Sequence, residues 1–272
     1  MNNRGIIYNI WWDNDNIPDF IDELNFSIHC SRKTNYPIKV LIDEEANIEI
    51  DSINIEKENF IFYSLADEEK KYNHWIRKLK LIDFSPFEES LFLDTDAFIL
   101  DSHKCYHDVN KYPLRQNFNH TIDYVFSKLE SYGMAIAFDG HVMGQREYRF
   151  EIDGRKEVDV CDDYFNLVIK YLGKKSYPSL FNWGVVFFNK SAETKDLFSL
   201  TKKILMKEDC TEQFAMTIAV EILKSKIFIL ESKVWNQREH DGHFSKFGTK
   251  ILHNPHWFKA YKDYKLKDEY IS

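Results

Sequence analysis

The run WIRKLKLIDFSPFEESLFLDTDAFIL, Trp75 to Leu100, sets two aspartates, Asp94 and Asp96, inside an otherwise apolar segment. A buried strand tolerates carboxylates only when they are paired, solvated or bound to a cation. In extended chain, residues two apart project to one side, which puts Asp94 and Asp96 together and turns Thr95 away. Two carboxylates at a strand's end form a hard-oxygen site suited to Mg²⁺ or Mn²⁺, with phosphate oxygens completing the coordination. The plainer alternative is a solvated strand end where aspartate opens a turn. Just upstream, Arg77 and Lys80 are three apart and share one face of a helix, either to reach an anion or simply to face solvent.

Working outward, the apolar periodicity alternates strands and helices. Gly5 to Trp12, Ile38 to Ile42, Phe60 to Leu65 and Ser90 to Phe98 read as strands, and Phe20 to Arg32 and Asp67 to Phe84 as helices. In the last of these, Trp75, Leu79 and Ile82 form the apolar stripe. Tyr132 to Phe138, Leu180 to Asn189, Ile227 to Leu230 and Lys250 to His253 continue the strands. Asp163 to Leu172, Lys195 to Met206 and Thr211 to Lys224 continue the helices, while 144–163 reads as irregular. This order predicts an α/β chain with a central, mostly parallel mixed sheet flanked by helices. No Gly-, Ser- or Pro-rich linker interrupts it, so 1–272 reads as one domain.

Composition narrows the class. Hydrophobic residues make up 44% of 272 positions and aromatic residues 16%, enough to bury a sizeable core. The formal charge is −8, and no basic stripe is present, which argues against a nucleic-acid partner. Cys30, Cys105, Cys161 and Cys210 are widely spaced and lack a C-x-x-C pair, as expected of reduced thiols. The start, MNNRGIIYNIWWDND, lacks the form of a secretory signal, and no apolar run is long enough to span a bilayer. The expectation is a cytoplasmic protein, or one peripheral to a membrane surface.

Four blocks in order give the run at 75–100 a family context. Its basic helix, Ser-Pro-Phe turn and D-x-D strand resemble the central block of glycosyltransferases with the GT-A fold. FNWGVVFFN (Phe181 to Asn189) resembles that family's N-[ST]-G-V strand, with Trp183 where a small residue is usual. EDCTEQFAM (Glu208 to Met216) resembles its acidic-Gln helix start, and ILHNPHWFKAY (Ile251 to Tyr261) its late histidine segment. GIIYNIWW and SIHCSRKTNYPIKVLID resemble its first β-α-β unit.

The resemblance implies a single Rossmann-like domain, with a nucleotide-sugar half at 1–100 and an acceptor half at 101–272. It implies a metal-dependent transfer of sugar from a nucleotide-diphosphate donor, a UDP-sugar, to a glycan, lipid-linked or protein acceptor. Asp94, Asp96 and His253 become the metal ligands, with His256 the rival histidine and Mn²⁺ or Mg²⁺ the cofactor. Tyr8, Ile10, Trp11, Arg77, Lys80, Thr95 and Lys259 fall on the donor side, with Tyr8 and Trp11 as stacking candidates. Asn182, Trp183 and Gly184 fall beside the sugar or acceptor. Glu212, Asp209 and Asp139 are candidates for a base that deprotonates the acceptor. Gln213 would instead face the reacting carbon in a retaining enzyme. A metal-dependent nucleotidyltransferase and a non-catalytic nucleotide- or carbohydrate-binding module are the competing readings.

Overall fold

The computed structural model describes residues 3–11, 17–70, 75–99, 121–138, 157–173, 178–208, 210–236 and 251–253. Asp139, Asp209, His256 and Lys259 lie outside these residues, as does Cys105.

Seven strands form the main sheet: β1 (Arg4–Ile10), β2 (Ile38–Asp43), β3 (Phe60–Tyr63), β4 (Glu89–Leu93), β6 (Met134–Phe138), β7 (Phe181–Asn189) and β8 (Ile227–Leu230). Their spatial order is β3-β2-β1-β4-β7-β6-β8. Only β7 runs against its neighbours; β4 and β6 pair with it antiparallel, and the other ladders are parallel. Two further short strands, β5 (Ala97–Ile99) and β9 (Ile251–His253), pair as a separate antiparallel ribbon.

Apolar residues on alternate positions send side chains to both faces, and each face is covered by helices. Ile7, Leu41, Phe92, Ile136, Val186 and Phe188 pack under α2 (Ile76–Leu79), α3 (Leu81–Phe84), α5 (Glu157–Leu172), α6 (Ala192–Glu208) and α7 (Glu212–Leu223). Ile6, Tyr8, Ile10, Val40, Leu91 and Phe187 pack under α1 (Ile17–Arg32), α4 (Ile122–Tyr132) and the short α8 (Ser232–Trp235). The architecture is the helix–sheet–helix layering expected from the alternation of elements. Cys30 and Cys210 are both buried, and neither forms a disulfide among the described residues.

Three local expectations are corrected. The helix read over Asp67 to Phe84 is a turn at 67–70 followed by the two short helices α2 and α3. The break falls at Lys80, whose amide bonds back three residues to the Arg77 carbonyl. Phe84 ends α3 because Ser85 precedes Pro86 and turns extended, as the proline ring requires. The strand read over Ser90 to Phe98 is interrupted at 94–96, where the Ala97 amide bonds to the Asp94 carbonyl at 2.9 Å. The two aspartates therefore sit in a turn and not in extended chain. Finally, α5 begins at Glu157, so part of the segment expected to be irregular is helical.

Candidate functional site

In sheet order, β1 is flanked by β2 and β4, and the chain winds away from it in both directions. The crevice beyond the carboxyl ends of β1 and β4 is thus the switch point of the sheet, where open α/β sheets place ligands. Trp11 follows β1 there, and Asp94 follows β4.

The two aspartates meet a histidine from the far end of the chain. Antiparallel β5–β9 pairing places His253 opposite Ala97, directly after the Asp94–Asp96 turn. His253 Nε2 lies 3.3 Å from Asp96 Oδ1 and 3.7 Å from Asp94 Oδ2. One ligand atom from each of the three residues can be chosen so that all lie within 4.8 Å of one another. Two carboxylates and an imidazole are a donor set that Mn²⁺ or Mg²⁺ accepts. The chemistry of the residues therefore fits a divalent ion. Despite burial, which acts to raise it, the Asp96 carboxyl is held below the usual carboxylate range by His253 and Lys78.

β7 supplies the wall. Asn182 and Gly184 share one face of this strand, and the Asn182 side-chain oxygen accepts from the Gly184 amide at 2.9 Å. The Gly184 carbonyl in turn accepts from the Asp94 amide at 2.9 Å, locking the start of the aspartate turn to the sheet. A β-carbon on Gly184 would overlap the His253 ring, so glycine is what lets the imidazole lie flat on the strand. The ladder with β6 shifts register between Ile136 and Ala137, beside this glycine.

Lys78 completes the cluster. Its Nζ lies 2.9 Å from Asp94 Oδ2 and 3.6 Å from Glu212 Oε1. It is buried, with Nζ 5.6 Å from the Trp75 ring centre, 5.8 Å from Phe92 and 6.0 Å from Trp11. Burial acts to lower this amine, but Asp94 and Glu212 outweigh it and hold the ammonium above its ordinary range. Glu212 opens α7, where the Thr211 hydroxyl caps the helix by accepting from the Phe214 amide. Its side chain is 1% exposed, and Oε2 finds no hydrogen-bond partner among the described residues. Burial pushes its carboxyl up to about 7; Lys78 opposes that rise and Asp94 adds to it.

Several residues expected here are placed elsewhere. Tyr8 is fully buried, and its hydroxyl bonds to Ser27 at 2.9 Å and Ser31 at 2.7 Å on α1, so its ring belongs to the core and cannot stack on a base. Ile10 is likewise buried. Trp183 points to the opposite face of β7 from Gly184 and packs edge-on against Phe198 of α6, 5.6 Å between centres. It is a core residue and not a sugar contact. Arg77 binds Asp43 at 2.6 Å, and Lys80 binds Glu69 at 3.0 Å. Thr95, by contrast, lies in the aspartate turn itself and is buried there.

Lys78, Asn236 and Asn9 are residues of the site that the sequence does not single out. The spacing singles out Arg77 and Lys80, which share one face, and only the broken helix shows that Lys78 between them turns inward. Asn236, whose Oδ1 lies 2.8 Å from His253 Nδ1, carried no signal in the sequence. Asn9 has a structural role of the same kind. It donates to the Arg77 carbonyl at 2.8 Å and accepts from the Tyr63 hydroxyl at 2.9 Å, tying β1, β3 and α2 together behind the crevice.

Comparison with solved structures defines the class of fold: the chain has the α/β fold of GT-A glycosyltransferases. Galactosyltransferase LgtC, solved in complex with donor and acceptor sugar analogs, superposes with a TM-score of 0.50 at 14% identity, covering 92% of this chain and 87% of LgtC. Mouse xyloside xylosyltransferase 1 superposes with a TM-score of 0.51 at 13% identity, covering 92% of this chain and 97% of the other. The bifunctional glycosyltransferase WbbM gives 0.54 at 12% identity, covering 93% of this chain but 45% of WbbM. No protein-family profile matches the chain. No curated protein sequence matches it either.

Proposed function

We propose that this protein is a metal-dependent glycosyltransferase that moves a sugar from a nucleotide-diphosphate donor, a UDP-sugar, to a hydroxyl of a glycan, lipid-linked or protein acceptor. The observation that carries the reading is the meeting of Asp94, Asp96 and His253 at the switch point of a glycosyltransferase-type sheet. On this reading residues 1–100 form the donor half and 101–272 the acceptor half of one domain. No helix among the described residues is long and apolar enough to cross a membrane. We place the enzyme in the cytoplasm or at a membrane surface.

Asp94, Asp96 and His253 would hold Mn²⁺ or Mg²⁺, which when bound neutralises the diphosphate leaving group as a Lewis acid. The chain's own residues supply the rest. Trp11 closes the donor crevice at the end of β1, and the Ile10 backbone runs beside it. Asn182 and Gly184 form a flat wall where a sugar can approach the backbone. Lys78 keeps a fixed positive charge between Asp94 and Glu212, inside an aromatic surround that excludes water. Of the candidate base set, Glu212 is the acid among the described residues, and it sits beside Lys78 at the cluster. A carboxyl titrating near 7 can accept a proton from an acceptor hydroxyl at neutral pH. Gln213 follows it on α7, and Lys259 remains a candidate for the diphosphate.

The test is incubation with UDP-sugars and Mn²⁺. Release of free UDP that stops on chelation supports the transferase. Pyrophosphate release from a nucleoside triphosphate would establish a nucleotidyltransferase instead, and binding without turnover would establish a binding module.

A further inference from the structure

A histidine that ligates a metal must present one bare nitrogen to it, and the tautomer is set by what the other nitrogen touches. Here the other nitrogen is Nδ1, 2.8 Å from Asn236 Oδ1, with both side chains buried. An amide oxygen can only accept, so Nδ1 carries the proton. Nε2 is then the nitrogen that can yield its proton to a cation and ligate it, and it is the one that faces Asp94 and Asp96.

Asn236 is itself held firmly. Its amide bonds to the Ser232 carbonyl at 2.9 Å at the end of α8, and the Ser232 hydroxyl bonds to the Phe138 carbonyl at the end of β6 at 2.7 Å. Its neighbour Trp235 is buried edge-on against Phe187 of β7, 5.9 Å between centres. The amide nitrogen of Asn236 is buried and finds no partner among the described residues. A buried unsatisfied donor costs stability. The oxygen, bonded to His253, is therefore what this side chain contributes.

We infer that Asn236 is a positioning residue for the metal centre: it selects the Nδ1–H tautomer of His253 and, with the flat Gly184 wall, aims Nε2 at the cation. The inference rests on Asp94, Asp96 and His253 forming a metal site, and the experiment separates the two claims. Mn²⁺ affinity is measured by titration of free Mn²⁺ with electron paramagnetic resonance, without nucleotide or turnover. The proteins are the wild type, Asn236→Leu, Asn236→Asp, His253→Ala and the His253→Ala/Asn236→Leu double variant. Asn236→Leu keeps the volume and removes the acceptor; Asn236→Asp keeps the acceptor.

The expected result is a loss of about 10- to 100-fold in Mn²⁺ affinity for Asn236→Leu. Asn236→Asp should bind as well as the wild type or better. In the His253→Ala background, Asn236→Leu should change affinity less than about twofold, because its action passes through the imidazole. Should Asn236→Leu fail to fold, Asn236→Ala takes its place in the same cycle. Wild-type affinity in the acceptor-less variant, or an equal loss with and without His253, overturns the role of Asn236 alone. Failure of the wild type to bind Mn²⁺ overturns the metal site and this inference with it.

Discussion

At the scale of single residues, side-chain direction within β7 separates the residues beside the His253 cluster from those that pack the core. Asn182 and Gly184 face the site, whereas Trp183 faces α6. The sequence reading puts all three beside the sugar or acceptor, because nothing in the sequence tells which face of a twice-covered strand opens to a ligand. The same ambiguity misplaced Tyr8, whose burial against Ser27 and Ser31 is a property of α1 packing. Trp183→Ala should therefore cost about 3–5 kcal/mol of stability in denaturant unfolding, as truncation of a large core side chain does. Trp183→Phe should leave UDP affinity unchanged, and a large loss of affinity in that variant would return the indole to the site. Gly184→Ala should unseat the His253 ring and lower Mn²⁺ affinity while the far-ultraviolet circular dichroism stays native. For Glu212→Gln, a base role predicts a fall in kcat of about a hundredfold or more with little change in donor Kd. Wild-type turnover in that variant would remove Glu212 from the chemistry.

At the scale of elements, two of the three corrections share one cause: a local pattern is cut by a distant partner. The apolar stripe of Trp75, Leu79 and Ile82 is real, but the helix carrying it is broken at Lys80. Upstream, the Glu69 carboxylate anchors the chain by accepting from the Ala66 amide at 2.9 Å, from Lys80 at 3.0 Å and from Lys202 of α6. Burial acts to raise the Glu69 carboxyl, yet Lys202, the Ala66 amide and Lys80 together pull it from the usual 4.5 down to about 2. Its folded value is depressed, so its stabilisation is complete above about pH 4.5 and is lost as pH falls toward about 2. Glu69→Gln should accordingly lower stability by on the order of 2 kcal/mol at pH 7, after allowance for screening at the partly exposed Lys202. The gap between variant and wild type should close in thermal unfolding below pH 3. A gap that stays constant with pH would show that Glu69 acts through packing and not through charge. The D-x-D segment follows the same logic. Its strand is broken because Asp94 hands the chain from the main sheet to the β5–β9 ribbon, a partner 157 residues or so downstream that no local pattern announces.

At the scale of the whole molecule, the sheet explains why blocks far apart in sequence belong together. β4 brings Asp94 and Asp96, antiparallel β7 returns Gly184 to the same end, and β9 lays His253 across that glycine. The layer architecture and the meeting of Asp94, Asp96 and His253 were legible because apolar periodicity and the four ordered blocks are repeated signals. Lys78 and Asn236 were not, because each is one polar residue whose meaning depends on tertiary contact. The central claim is that the Asp94–Asp96–His253 cluster binds a divalent ion that in turn holds a nucleoside diphosphate. It is tested most directly by thermal unfolding of the wild type and Asp96→Ala with UDP, each in Mn²⁺ and in chelator. The account predicts that UDP raises the wild-type Tm only when Mn²⁺ is present, and that Asp96→Ala folds but loses the shift. A Mn²⁺-dependent UDP shift retained at full size in Asp96→Ala would contradict it.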